Sequence, residues 1–378
     1  MRGRVAAAFT PMVNGQGRRV LSSSATVTST NLGDEIDEKA PLDAFLAARA
    51  AHTADTNTVA LGDMVIVRDI RSGRRNLIGP LSEDGVFSNT VGNLSHRDLV
   101  GLHARDVVRN HKGQLLAVHF PTVHEYNLMA YRIATPIYPK DASAIISMLD
   151  LQPSSFTLET GTGTGGFTLA LAAAYGAGAS GKILSVDLRG SHTRHARKHL
   201  KRFRRGSLLP LVEFVTGDIA AVLQSLPDHA LDGAVVDLMD PHLHLAELAR
   251  VIRPDGVVVV YVPSITQAIQ CLETVRRSRS PFASEKCVVV SEDEWVVKPA
   301  VVKWPEGKPV LPAAAEAVEV ESTPPLQYNW ICRPTNQPGG HTAFLLQLRC
   351  TKGPRDVATR DDDQEGDDDK TLAIVPEQ

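Results

Sequence analysis

Four cysteines in 378 residues, with no C-x-x-C pair and no histidine at ligand spacing, argue against both a disulfide framework and a zinc site. Long apolar runs are also missing. Val257–Val262 and Leu169–Tyr175 fall far short of the roughly 20 residues that span a bilayer, so a globular, water-soluble chain is expected. Acidic residues are absent before Asp34, while Arg2, Arg4, Arg18 and Arg19 stand among many Ser, Thr and Ala. That is the composition of a mitochondrial transit peptide, with a cleavage-like stretch at Arg18–Ser23, so residues 1–33 are expected to direct import.

What the chain does contain is 43% apolar residues, enough for about two domains. Its formal charge of -3 hides an asymmetry: residues 361–369 hold seven carboxylates, and removing them leaves +4 on the rest. Like charges without an apolar face stay solvated, so 353–378 reads as a disordered acidic tail. The Pro-rich, Ala/Glu/Val-rich stretch 306–325 reads as a surface insertion.

Short alternating segments between 57 and 125 (59–61, 64–67, 76–78, 85–87 and 115–118), punctuated by Gly turns, predict a small β-rich or barrel domain. From 126 to 352 strand and helix alternate. Strands are expected at 156–159, 182–187, 212–215, 233–237 and 256–262, with helices at 142–150, 167–175, 191–203, 219–226 and 242–251. Such alternation calls for an α/β fold with a parallel sheet covered on both faces and ligands at the strands' carboxyl ends. Cys287–Lys298 and Thr342–Arg349 should add a terminal β-hairpin at the sheet edge.

Glu159-Thr160-Gly161-Thr162-Gly163-Thr164-Gly165-Gly166 closes the first of these strands and opens an apolar helix. Glycines let the chain reverse tightly and approach a ligand with its backbone. Because Gly161, Gly163 and Gly166 also satisfy G-x-G-x-x-G, the loop alone leaves NAD(P), S-adenosylmethionine (AdoMet) and an empty turn open. Asp187, at the end of the second strand, suits a ribose diol in either cofactor. Asp218 after the third strand favours AdoMet, where a carboxylate can take the adenine amine, though it could simply cap the helix starting at Ile219. Asp237 ends the fourth strand and would face the crevice. No acid/base group for hydride transfer stands out.

Six segments in order, Thr135–Asp141, the Gly-rich loop, Asp237–Pro241, Tyr261–Gln267, Glu294-Trp295 and Gly340–Leu345, resemble the tRNA adenine-58 N1-methyltransferase family. The likeness spans roughly 57–303 and 327–350. It implies a class I AdoMet-dependent methyltransferase, a seven-stranded Rossmann-like sheet with a terminal hairpin, acting on N1 of adenine 58 in the tRNA T-loop. It also implies a homotetramer, as in bacterial and mitochondrial members, or a heterotetramer with a non-catalytic subunit, as in the nuclear enzyme. Carried onto this chain, the catalytic positions are Asp237 and Tyr138. The cofactor positions are Ile137, Glu159, Gly161, Gly163, Thr164, Gly165, Gly166, Asp187, His192, Asp218, Ile219 and Asp237. Two departures stand out: His242 replaces a common Trp, as in vertebrate mitochondrial members, and His192 replaces an Arg that often follows the ribose acid. Alternative readings are an adenine-N1 methyltransferase of mitochondrial rRNA or mRNA, and a catalytically silent tRNA-binding subunit. Between Leu188 and Val212, eight Arg or Lys and no acid suit an RNA phosphate backbone, or a solvated helix face.

Overall fold

A computed structural model describes residues 45–46, 57–89, 92–299, 330–335 and 340–351. The expected leader, the 306–325 insertion and the acidic tail lie outside the described residues. Two compact units divide the chain, Met1–Thr56 and Asn57–Gln378. The second carries everything below.

Strands β1 (Val65–Asp69), β2 (Arg75–Ile78), β5 (Val107–Arg109) and β6 (Leu115–His119) build its first part, an open antiparallel sheet in the order β2-β1-β6-β5. A separate hairpin pairs β3 (Val86–Asn89) with β4 (Gly92–Ser95). Two sheets replace a closed barrel among the described residues. Val59–Leu61, expected as a strand, contributes only to a turn beside an isolated bridge between Thr58 and His103. Gly62 turns the chain there at φ +86°, before β1 can begin.

Helix α1 (Val123–Met129) follows, opened by a capping box in which Thr122 and Glu125 satisfy each other's backbone N–H groups. In the second sheet, strands β7 (Phe156–Thr160), β8 (Lys182–Asp187), β9 (Val212–Thr216), β10 (Leu231–Val236) and β11 (Ile252–Val262) run parallel. Strand β15 (Phe344–Cys350) is antiparallel to β11, and β12 (Phe282–Val288) is antiparallel to β15. The resulting order is β12-β15-β11-β10-β7-β8-β9.

Side chains alternate across a strand, so each central strand feeds two cores. Val235, Val257, Val259 and Leu345 pack with α2 (Pro139–Leu149), α3 (Gly166–Tyr175) and α4 (Gly190–Arg202). Ala234, Val236, Val258, Val260, Leu346 and Leu348 face α5 (Ile219–Ser225), α6 (Leu245–Val251) and α7 (Ile265–Arg277).

The expected strand 287–298 divides in two. Its first residues complete β12, and Trp295–Pro299 forms β13, which pairs with β14 (Trp330–Pro334) in a hairpin of its own. Helix α7 was not anticipated, although Ser264 and Gln267 form its capping box.

Candidate active site

Strands β7, β8 and β10 stop at one edge of the sheet, and the turns after them meet there. Gly161 turns at φ +86°, where a Cβ would stand 2.4 Å from the carbonyl oxygen of Asp237. Only glycine lets the loop pass under β10. Gly165 turns at φ +81°, and a Cβ there would meet Ala196 of α4 at 2.7 Å. The loop is therefore pinned between the end of β10 and α4.

Three carboxylates converge on this loop. Glu159 is 2% exposed, and its Oε2 accepts from Thr168 and Ser185, both at 2.6 Å. Burial, reinforced by Asp237 and Asp187, pushes its pKa up to about 7. Asp187 accepts from the Gly163 and Arg189 N–H groups at 3.0 and 2.9 Å and lies 3.0 Å from His192 Nδ1. Asp237 is also pushed up to about 7, first by burial and then by Asp187. Glu159 and Asp237, buried and crowded this way, resist ionisation.

The other predicted positions gather nearby, with one difference. Ile137 is buried, and the segment around it abuts the loop: a Cβ on Gly166 would lie 3.8 Å from Pro136, and one on Gly163 3.8 Å from Ala134. Thr164 is buried and Ile219 nearly so. Asp218 caps α5 through a 2.7 Å bond from the Ala220 N–H, so the capping role is realised, with its second oxygen outside that bond. Tyr138 precedes α2 and lines an open cavity of about 1230 Å³ together with Thr135, Lys140, Tyr261, Arg333 and Thr342. Tyr261 stands on the wall of that cavity. Its hydroxyl is kept firmly protonated by burial and by Asp141, Asp237 and Tyr138.

The tRNA methyltransferase complex GCD14 subunit family matches residues 121–349. A tRNA (adenine(58)-N(1))-methyltransferase TrmI from Thermus thermophilus is 37% identical over 280 residues, which cover 74% of this chain and 94% of that protein. The chain belongs to this family. A catalytic subunit TRM61 of the same activity name from Yarrowia lipolytica is 24% identical over 60% of this chain and 57% of its own length. Among solved structures, the tRNA (m1A58) methyltransferase TrmI from Aquifex aeolicus has a TM-score of 0.58 at 22% identity, covering 79% of this chain and 100% of that one. A SAM-dependent O-methyltransferase from Thermotoga maritima has a TM-score of 0.61 at 19% identity, covering 79% and 97%. The fold is that of class I AdoMet-dependent methyltransferases, and the methyltransferase uses AdoMet.

The crevice of this family member fits that cofactor. Glu159 and Asp237 are acids whose ionisation a sulfonium and an ammonium would favour, Asp187 stands beside them, and α3 begins with no side chain capping its N–H groups, which suits a carboxylate. Sequence reasoning missed Thr162, Thr168 and Ser185, whose hydroxyls bind Glu159 or one another. Their signal was small: buried hydroxyl residues in the Gly-rich loop, a strand and a helix. Tyr261 and Lys140 stood inside recognised motifs without an assigned role. His242 lies in the single turn Pro241–His244, with Nδ1 buried and unpartnered among the described residues.

The basic segment is only partly a free surface. Arg205 binds Asp63 through two 2.8 Å bonds and the Thr58 carbonyl at 2.7 Å, tying α4's end to the N-terminal sheet. Arg194, Arg197, Lys198, Lys201, Arg202 and Arg204 are exposed. Burial pushes His199 down to about 4, so it adds no charge at neutral pH.

Proposed function

We propose that the enzyme transfers the methyl group of AdoMet to N1 of adenine 58 in the T-loop of mitochondrial tRNA. The position of Asp237 carries this reading: it directly follows β10, over Gly161 on one side, and its charge is felt by Tyr261, on the cavity wall, on the other. A group there would lie between the cofactor crevice and the substrate cavity.

AdoMet supplies an electrophilic methyl on a cationic sulfur. Asp187, with His192 against its carboxylate, would hold the ribose end, while Ile137, Ile219 and Asp218 would border the cofactor's adenine. Glu159 and the loop Gly161–Gly166 shape the wall behind it. N1 of the target base carries an in-plane lone pair, so alignment matters more than proton removal, and orientation can contribute about 7–11 kcal/mol. As positive charge grows on the ring, the Asp237 carboxylate accepts from N6 more strongly than in the ground state. Tyr138 borders the substrate side. A T-loop adenine must leave its stack, at about a few kcal/mol, and phosphate contacts on α4 offset that cost.

A homotetramer is the assembly we infer. One face of the β13–β14 hairpin is wholly apolar, with Trp295, Val297, Trp330 and Cys332 exposed, and an isolated two-stranded ribbon is marginal in water unless covered. The name of the Yarrowia relative, a catalytic subunit, favours a second arrangement in which a different chain covers the same face.

Incubation of the purified protein with AdoMet and mitochondrial tRNA transcripts, followed by mapping of methylated adenines, tests the reaction. Product at adenine 58 is expected, and methylation at another site or of rRNA alone would overturn the substrate assignment. Fusing residues 1–33 to a reporter tests the mitochondrial address. A reporter retained in the cytosol would remove it.

A further inference from the structure

Thr135–Asp141, Tyr261–Gln267 and Gly340–Leu345 are motifs shared with the family in which most residues have no role so far. The fold joins them around the cavity. Lys140 Nζ lies 3.0 Å from Asp141 Oδ1, 2.6 Å from the Val290 carbonyl and 2.6 Å from Thr342 Oγ1. These partners come from α2, the turn after β12 and the loop before β15. Next along the chain, His341 Nε2 lies 3.0 Å from the Pro263 carbonyl, and Gln267 Nε2 donates to the Met239 carbonyl at 2.8 Å. Met239 stands two residues from Asp237. A series of polar contacts therefore runs from beside Tyr138 to beside Asp237.

Lys140 lines the cavity, and the simplest role for such a lysine in an RNA enzyme is a phosphate contact. Its geometry argues otherwise. An ammonium has three donors, and three acceptors within the protein already take them. The side chain is 12% exposed and Asp141 fully buried, with Asp141 Oδ2 unpartnered among the described residues. A buried ion pair gains little net stability, so its worth lies in fixing geometry.

We propose that Lys140 is a positioning residue: by tying α2 to the 290 and 342 loops, it sets Tyr138 and the motif chain that ends at Met239 in register with Asp237 across the target adenine. The proposal rests on the reading of Asp237 and Tyr138 given above. It makes the ammonium a geometric fixture that neither binds RNA nor moves a proton.

Three variants test it, with wild-type enzyme methylating a tRNA transcript in parallel. Lys140→Met should lower kcat by at least about tenfold, with AdoMet Kd within about twofold and KM for tRNA within about threefold. Thr342→Val, which removes one tie and leaves the ion pair, should lower kcat about threefold and add little in the Lys140→Met background. Lys140→Arg keeps the charge beside Asp141 but cannot bring three donors to one point. It should restore thermal stability, with AdoMet affinity unchanged, without restoring kcat.

If Lys140→Met does not fold, the other two variants decide. Wild-type kcat in both Lys140→Arg and Thr342→Val would overturn the proposal and leave an ordinary structural ion pair. A rise in KM for tRNA at unchanged kcat would overturn it in favour of a phosphate contact. Absence of wild-type methylation at adenine 58 would instead sink the function reading on which it rests.

Discussion

Glu159 and Asp187 are 2% and 9% exposed, whereas Trp295, Val297 and Trp330 are 58%, 61% and 61% exposed. The crevice buries acids and the β13–β14 hairpin exposes aromatics, so each inverts the ordinary sorting of polar and apolar groups. In the crevice the inverted groups hold one another: hydroxyls and backbone N–H groups bond the carboxylates, and a small cationic ligand completes the set. On the hairpin Trp295, Val297 and Trp330 are open among the described residues over an extended face, which the proposed assembly would cover. The kind of inversion thus separates the proposed cofactor site from the proposed assembly surface.

The contrast breaks most visibly at Asp237. Replacing it with Ala should lower kcat by at least about tenfold, more than about 1.4 kcal/mol of transition-state stabilisation, while AdoMet binding largely survives. Unchanged methylation kinetics would remove the N6 acceptor. Asp187→Ala should act on the other quantity, weakening AdoMet in calorimetry. Wild-type affinity there would mean that its bonds to Gly163 and His192 only brace the loop.

A second effect belongs to the hairpin. Trp295→Ser with Val297→Ser removes two of its exposed apolar groups while leaving the crevice untouched, so light scattering should show a smaller particle with unchanged AdoMet affinity. A variant that kept the wild-type mass would show that this face is not the interface.

Both regions were unequally legible in the sequence. The central sheet could be read because runs such as Val257–Val260 are bounded by Gly, Asp or Pro, and Asp187 and Asp237 could be placed because strand ends share one edge. The hairpin was hidden, since nothing in the polar stretch 291–294 shows that the chain leaves the sheet after Val288. Helices α1 and α7 carried readable capping boxes, Thr122 with Glu125 and Ser264 with Gln267, but their apolar spacing was weak. Pairs far apart in the chain had no local signature at all. Glu159 with Ser185, Arg205 with Asp63 and Lys140 with Thr342 exist only once the sheet has formed.

A smaller effect follows from the acids' titration. Asp237 and Glu159 have folded-state pKa values raised to about 7 by burial, so between about pH 4 and 7 the folded protein binds more protons than the unfolded one. Stability of the ligand-free enzyme should therefore fall as pH rises through that window. Asp237→Asn should raise stability at pH 8 by about 1–2 kcal/mol, allowing for the residue's partial exposure. AdoMet should reverse the trend, binding more tightly with rising pH and releasing protons, which calorimetry in buffers of different ionisation enthalpy would reveal. Proton uptake on binding would contradict the crowded-acid account.

The smallest effect is expected on the outer face of α4, which shows neither inversion. Its cations are exposed in the ordinary way, and only their common sign marks them. Arg197, and Arg204 just beyond the helix, already rest on rings, at 5.2 Å from the Phe214 centroid and 5.1 Å from that of Phe203, which holds each guanidinium at a set place while leaving its N–H edges for phosphate. Neutralising Arg197, Lys201 and Arg204 together should raise KM for tRNA about two- to fivefold and flatten its salt dependence by about one unit for each phosphate no longer held. AdoMet affinity should not move, because the Asp187 carboxylate is held by Gly163, Arg189 and His192 at the opposite end of the helix. An unchanged salt slope would make this face a merely solvated one, and the RNA path would then have to be sought along the N-terminal sheet, whose Arg75 lines the same cavity as Tyr138.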